Sequence, residues 1–143
     1  MAMIKLSEHF TLEELCKSET AKRLGINNVP NAAQVESLRV LCRNVLEPAR
    51  VAFGRPIIVS SGFRCEQLNK AVKGARYSQH KTGEAADLQV SPVSELRRLF
   101  DILRTLPVDQ LLFEYNSAGK RWIHVSHKNG RKQRGMINDN YRA

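Results

Sequence analysis

The chain has 143 residues, a length that fits one folded domain over 1–143 with a substantial core. Its hydrophobic fraction of 42% and charged fraction of 26% are typical of a globular protein, and no apolar run approaches the roughly 18 residues of a membrane span. The first fifteen residues lack a continuous apolar segment and a cleavage site, so we expect synthesis in the cytoplasm without a signal peptide.

A net charge of +9 indicates an anionic partner, which nucleic acid or the polymers of a cell envelope would satisfy. The positive residues are spread along the chain, with one concentration near its end at Lys128, Arg131, Lys132 and Arg134. That segment has no helix-turn-helix, zinc-finger or aromatic-platform signature, so we predict no specific nucleic-acid partner. We expect residues 128–143 to form a basic, loosely ordered tail.

The three cysteines, Cys16, Cys42 and Cys65, are widely spaced and form no CxxC pair. An odd number without that spacing predicts neither a thiolate zinc site nor a disulfide framework. Cys42 lies in an apolar helical pattern and is expected in the core.

The N-terminal segment, residues 1–30, is predicted to be helical, with one helix over 7–24. A longer helix should begin near Ala32, because apolar residues then recur at spacings of three and four. Pro48 should kink or interrupt this helix, since proline lacks an amide proton and clashes with the preceding turn. Gly54 should end it.

The remaining pattern predicts an α+β fold, with a small, mainly antiparallel sheet flanked by helices. The predicted elements are a buried strand over 56–61, a short helix over 67–73, a strand over 84–90, a helix over about 95–105 capped by Ser94, and a hairpin of strands 110–115 and 121–127.

A histidine and a carboxylate seven residues apart, His80 and Asp87, together with His124 on a distant strand, suggest a His/Asp/His zinc site. Gly83 permits a turn between the first two. Asp87 has apolar neighbours, and a buried carboxylate is costly unless it is paired or coordinates a metal. The alternatives are a hydrogen-bonded structural aspartate and histidines scattered by chance.

Alternation along the last strand places Trp122, His124 and Ser126 on one face, where they can line a cleft. His127 falls on the other face, so we reject it as a ligand. His9, in the N-terminal segment, is interpreted as a surface histidine.

Glu114 ends the opposing strand and returns near Trp122 and His124 across the turn. A carboxylate beside zinc-bound water can act as a general base, and the alternative is a solvated hairpin glutamate. Arg64 follows a strand end, and its planar fork suits a carboxylate or a developing oxyanion. Ser78 could hydrogen-bond a substrate.

Three ordered motifs together resemble the zinc D-Ala-D-Ala carboxypeptidase family over roughly residues 30–127. They are Ser61-Gly62-Phe63-Arg64, then Ser78-Gln79-His80 with Gly83-Glu84-Ala85-Ala86-Asp87, then Trp122-Ile123-His124-Val125-Ser126. This family consists of peptidoglycan peptidases whose fold is shared with lysostaphin-type enzymes and the hedgehog signalling domain.

The resemblance implies one Zn²⁺ held by His80, Asp87 and His124, with Glu114 as general base. It implies that Arg64 binds the substrate carboxylate or polarises the scissile carbonyl, and that Ser78 and Trp122 contact substrate. Several relatives place the glutamate three residues before the second histidine, which is Arg121 here. Glu114 instead matches relatives with a Gln-hydrophobic-hydrophobic-X-Glu strand.

The predicted function is therefore zinc-dependent hydrolysis of an amide bond in the peptidoglycan stem peptide, by a monomer acting at the bacterial cell wall. A D-Ala-D-Ala carboxypeptidase and a phage or prophage endolysin-type endopeptidase both fit. The alternative is a catalytically inactive zinc-containing domain that binds cell wall or protein. The bond cut is left open, and nitrogen and oxygen ligands do not exclude other divalent ions.

Overall fold

One five-stranded sheet carries Asp87, Glu114 and His124, in a computed structural model that describes residues 3–143. The strands are Ile58–Ser61 (β1), Ala85–Gln89 (β2), Gln110–Tyr115 (β3), Arg121–Ser126 (β4) and Met136–Arg142 (β5). Their order is β1-β2-β4-β3-β5, and every pair is antiparallel except β3 and β5. The predicted α+β fold with a mainly antiparallel sheet is confirmed.

The two faces of this sheet differ because side chains alternate along each strand. Leu88, Phe113, Ile123 and Val125 point into the core and are fully buried. They pack against apolar residues of the helices. The alternate positions, which include Asp87 and its cross-strand partner His124, lie on the opposite face. The predicted hairpin of β3 and β4 is confirmed, and its register pairs Glu114 with Trp122.

Two short helices, Leu12–Cys16 (α1) and Glu19–Leu24 (α2), stand where one helix over 7–24 was predicted. That prediction is wrong because the chain is extended at Ser18, whose side chain accepts a hydrogen bond from the Ala21 amide and begins α2. Thr11 and Glu14 form a capping box at the start of α1.

The long helix predicted from Ala32 is continuous but changes its winding. It consists of Ala32–Leu41 (α3), a π-helical segment Cys42–Leu46, and Glu47–Phe53 (α4). Pro48 lies in the first turn of α4. The wider π turn directly precedes the proline, and the Glu47 amide bonds to the Cys42 carbonyl five residues back. The helix therefore accommodates Pro48 without a break, and Gly54, at φ +76°, ends it.

Three further elements complete the helical part: Glu66–Ala71 (α5), a 3₁₀ turn Gln79–Thr82, and Val93–Leu103 (α6). Pro92, not Ser94, precedes α6, so the predicted serine cap is wrong. The Cys65 thiol accepts a hydrogen bond from the Leu68 amide at the start of α5. β1 is an edge strand with alternating exposed residues rather than a buried strand.

The tail, predicted to be loosely ordered over 128–143, contains the last strand of the sheet. β5 runs parallel to β3 and forms the other edge of the sheet. Its side chains are exposed, so the strand leaves no apolar alternation in the sequence. Backbone bonds hold it, among them Met136 N to Asp109 O and Ala143 N to Tyr115 O, both in the range 2.8–2.9 Å.

The state of the cysteines and the length of the helices bear on two of the predictions above. All three cysteines are free thiols, and Cys42 lies in the core. Over residues 3–143, no helix combines the length and the hydropathy that crossing a membrane requires.

Candidate active site

His80 is fixed by its own turn and by the neighbouring loop. The Ser78 hydroxyl accepts from the His80 amide at 3.2 Å, and Gly83, at φ +77°, ends the turn. The imidazole Nδ1 lies 2.8 Å from the Gly62 carbonyl oxygen. A carbonyl only accepts, so Nδ1 carries the proton and Nε2 keeps its lone pair. That Nε2 is buried and has no hydrogen-bond partner among residues 3–143.

Asp87 and His124 meet this nitrogen from neighbouring strands. They are direct partners on β2 and β4, with His124 Nδ1 3.1 Å from Asp87 Oδ1. His80 Nε2 lies 3.3 Å from the same oxygen. All three ligand atoms fall within 4.8 Å of one another. The structure therefore brings together the three residues that the sequence singled out.

The electrostatics of this cluster favour a cation at its centre. Burial lowers the pKa of His80, so its imidazole is neutral and its lone pair faces a carboxylate. Burial opposes ionisation of Asp87, but the two imidazoles outweigh it and hold the pKa of that carboxyl well below its usual range. A lone pair directed at an anion is unfavourable unless a positive ion lies between them. Two imidazole nitrogens and a carboxylate oxygen suit zinc.

Glu114 lies on the same face of the sheet as His124, two pairs further along the hairpin. Its Oε2 accepts a 2.8 Å hydrogen bond from Trp122 Nε1. Because His124 pairs with Leu112, Glu114 is its diagonal neighbour, and such pairs have β-carbons about 7–8 Å apart. Burial, and then the charge of Asp87, raise the pKa of Glu114. A carboxylate with a raised pKa near the three candidate metal ligands is suited to accepting a proton.

Arg64 lies behind the cluster, and its guanidinium has several protein partners. Its Nε donates to Ser61 Oγ at 3.1 Å, and its Nη1 donates to Asn69 Oδ1 at 3.0 Å. Its Nη2 is 3.7 Å from Asp87 Oδ2, and the side chain is 14% exposed. Arg64 thus stabilises the Asp87 carboxylate, and it also lines the cleft in front of that residue.

These residues line one cleft of about 520 Å³. Its walls include the predicted site residues Arg64, Ser78, His80, Asp87, Glu114, Trp122 and His124. The cleft is also lined by residues from the tail, including Arg134, Tyr141 and Ala143. The last strand and the residues on either side of it therefore form part of the wall of this cleft.

The competing residues are turned away from the cleft. His127 is buried, with Nδ1 bonded to the Pro107 carbonyl and Nε2 bonded to Asn44. His9 pairs with Glu47 at the surface. Arg121, where several relatives have their glutamate, stacks its guanidinium over the Phe113 ring on the core side of β4. These positions agree with the rejection of His127 and the surface reading of His9.

Three polar residues of the site's surroundings were not anticipated from the sequence. Asn28 bonds to the carbonyls of Cys16 and Phe63 and to the Cys65 amide, which fixes the loop before Arg64. Asn69 orients Arg64, and Gln79 donates to the buried carboxylate of Asp109. Asn28 and Asn69 stand in no recognisable motif, whereas Gln79 belongs to the Ser78-Gln79-His80 motif, which assigned it no role of its own.

Two histidines and a carboxylate that converge in an open cleft are a ligand set typical of catalytic metal sites in hydrolases. The family model described as Peptidase M15 matches residues 8–126. The chain therefore belongs to this family of zinc peptidases of the D-Ala-D-Ala carboxypeptidase type. A search of curated proteins finds no match.

Proposed function

We propose that this protein is a zinc-dependent peptidase that hydrolyses an amide bond in the stem peptide of peptidoglycan. The observation that carries the proposal is the buried Nε2 of His80, which lacks a hydrogen-bond partner in residues 3–143 and faces Asp87. Membership of the Peptidase M15 family supports a peptidoglycan peptide as the substrate.

One Zn²⁺ would be held by His80 through Nε2, by a carboxylate oxygen of Asp87 and by His124 through Nδ1. The chemistry such an ion supplies when bound is Lewis acidity, which polarises a carbonyl oxygen and makes water a stronger acid. The Gly62 carbonyl keeps the proton of His80 on Nδ1, which leaves Nε2 free to ligate.

Glu114 is the proposed general base. It takes a proton from the attacking water as the carbon–oxygen bond forms, and it returns a proton to the amine nitrogen as the carbon–nitrogen bond breaks. The indole of Trp122 fixes the carboxylate orientation through the 2.8 Å hydrogen bond. Trp122 also presents its ring to the substrate in the cleft.

Arg64 and Ser78 are the proposed substrate contacts on the other side of the cleft. Arg64 carries the positive charge nearest to Asp87 and would stabilise a substrate carboxylate or the charge on the carbonyl oxygen. Ser78 lines the cleft while its hydroxyl caps the His80 turn, so it holds the turn and meets substrate with the same group.

The proposed site of action is the bacterial cell wall, where a net charge of +9 favours approach to anionic polymers. The protein would act as a monomer on the murein peptide without a specific nucleic-acid partner. Both a D-Ala-D-Ala carboxypeptidase and a phage-type endopeptidase fit this scheme.

The test is digestion of purified murein sacculi by the zinc-loaded protein, with the products identified by mass spectrometry. Loss of a terminal alanine, or a cut within the stem peptide, is expected, and His80→Ala and Glu114→Gln should abolish it. Glu36→Gln, an exposed carboxylate on α3, is the matched control. A protein that binds one zinc but cuts nothing would instead be a catalytically inactive wall-binding or protein-binding domain.

A further inference from the structure

A second recess of about 260 Å³ adjoins the cleft of the candidate metal centre. The two share Tyr77, Ser78, Gln79 and Arg134 in their walls, so the recess lies directly beside the cleft. The far wall of the recess is formed by Lys128 and Arg131. All three cationic residues lie beyond the end of the family match at residue 126.

Two buried carboxylates pair with two of these cations and neutralise part of the positive charge. Glu84, 4% exposed, bonds to both Arg131 Nη2 and the Asn129 amide. Asp109, fully buried, accepts from Nε and Nη2 of Arg134. If the arginines served only these carboxylates, two cations would suffice.

The recess has more positive charge and more N–H donors than the two carboxylates require. Lys128 is a third cation, with its Nζ 3.7 Å from Asp109. The Nη1 groups of Arg131 and Arg134 make no hydrogen bond to any residue within 3–143, and these side chains are 62% and 47% exposed. Each arginine therefore keeps unused N–H donors where the recess meets solvent.

Arg134 is also held in place before any ligand arrives. Asp109 fixes one edge of its guanidinium, and Gln79 Nε2 fixes Asp109 at 3.0 Å. An immobilised guanidinium loses little conformational entropy when it binds a carboxylate. The same Gln79 precedes His80, so the anchor is tied to the turn that presents the metal ligand.

We propose that Lys128, Arg131 and Arg134 form a carboxylate-binding subsite of the cleft, with Arg134 as its anchor. The inference rests on the proposed peptidase function, because it assigns part of the same substrate to this recess. A stem peptide offers two carboxylates that could occupy the recess. One is the free α-carboxylate of its γ-linked D-glutamate, and the other is the C-terminal carboxylate of its last D-alanine.

The test uses L-Ala-γ-D-Glu-L-Lys-D-Ala-D-Ala and two variants, one amidated at the glutamate α-carboxylate and one at the C-terminus. Their dissociation constants are measured by calorimetry on the zinc-loaded Glu114→Gln protein, so that no peptide is consumed. Amidation of the carboxylate that occupies the recess should weaken binding about 10-fold or more, the value of one charge-assisted hydrogen bond. The amide that causes the loss identifies the source.

Adding Arg134→Gln should remove this difference, so that the affected acid and its amide bind alike. Because this variant removes the guanidinium that pairs with buried Asp109, Asp109→Asn/Arg134→Gln is measured beside it and should behave in the same way. Lys132→Gln removes an equal charge from the same tail outside the recess and should keep the full acid preference. An acid preference that survives in both Arg134 variants, or no binding of any peptide, would overturn the proposal.

Cleavage of the same peptides by wild-type protein separates the two proposals. If the peptides bind with an Arg134-dependent acid preference but are not hydrolysed, the subsite stands and the peptidase function fails. If they are hydrolysed without that preference, the function stands and the subsite fails.

Discussion

The indole of Trp122 donates a hydrogen bond to the carboxylate of Glu114, its direct partner across the β3–β4 hairpin. The pairing gives Glu114 a fixed orientation at the rim of the cleft. The pKa of the Glu114 carboxyl therefore depends in part on an uncharged neighbour, because the indole hydrogen bond lowers it.

Trp122→Phe should shift the acid limb of the kcat/KM profile to higher pH. Burial raises the pKa of Glu114 and the indole hydrogen bond lowers it, so losing the bond raises the pKa further. A general base must be ionised, and a higher pKa means that activity is lost at a higher pH on acidification. The profile is measured on a stem peptide, and an acid limb that stays in place or moves down would contradict the assignment of Glu114.

Zinc should bind with a stoichiometry of one and raise the thermal unfolding midpoint. A ligand that binds only the folded state at 100 times its dissociation constant stabilises it by about 2.7 kcal/mol. His80→Ala, Asp87→Ala and His124→Ala should each abolish the effect, as followed by metal analysis and thermal unfolding. His9→Ala, at the surface pair with Glu47, should keep it. Full zinc occupancy in the first three variants would argue against the ligand assignment.

Gly62→Ala should destabilise the fold and weaken zinc binding together. A β-carbon at this position would lie 2.1 Å from the Leu15 carbonyl oxygen, a backbone atom that cannot move aside alone. Overpacking of this kind costs about 1–3 kcal/mol. The displaced Gly62 carbonyl would also release His80 Nδ1. Denaturant unfolding and zinc titration measure the two effects, and unchanged zinc affinity would show that the carbonyl is dispensable.

Asp109 should make the fold sensitive to acid. Burial opposes its ionisation, but Arg134 and Gln79 outweigh this and lower its pKa to about 2 from an ordinary 3.8. The folded-state pKa is the lower one, so the stabilisation is complete above pH 3.8 and is lost as the pH falls towards 2. Denaturant unfolding across this range should show a steeper pH dependence for wild type than for Asp109→Asn. Equal slopes would contradict the prediction.

The sequence predicted the cluster of His80, Asp87 and His124 because two separate signals agreed. A histidine and a carboxylate flanked a glycine turn, and an alternating strand carried the second histidine. Pairing of β2 with β4 places Asp87 opposite His124, and the 3₁₀ turn brings His80 to them. The hairpin could be predicted in the same way, because its turn lies between two strand-like segments.

The features that the sequence did not predict depend on backbone hydrogen bonds or on single polar contacts. The side chains of β5 are exposed, so its pairing with β3 left no pattern. The division between α1 and α2 depends on the conformation of one residue, Ser18. The partners of Arg64 come from positions three, five and twenty-three residues away, and no local rule connects them.

The position of β5 has a practical consequence for how the domain is delimited. Sequence similarity ends at residue 126, within the hairpin sheet and before its last strand. A chain cut there would leave the backbone of Gln110–Tyr115, an apolar strand, as a bare edge. Such edges pair with those of other molecules. A truncation drawn at the similarity boundary is therefore expected to aggregate, although it would retain every proposed zinc ligand.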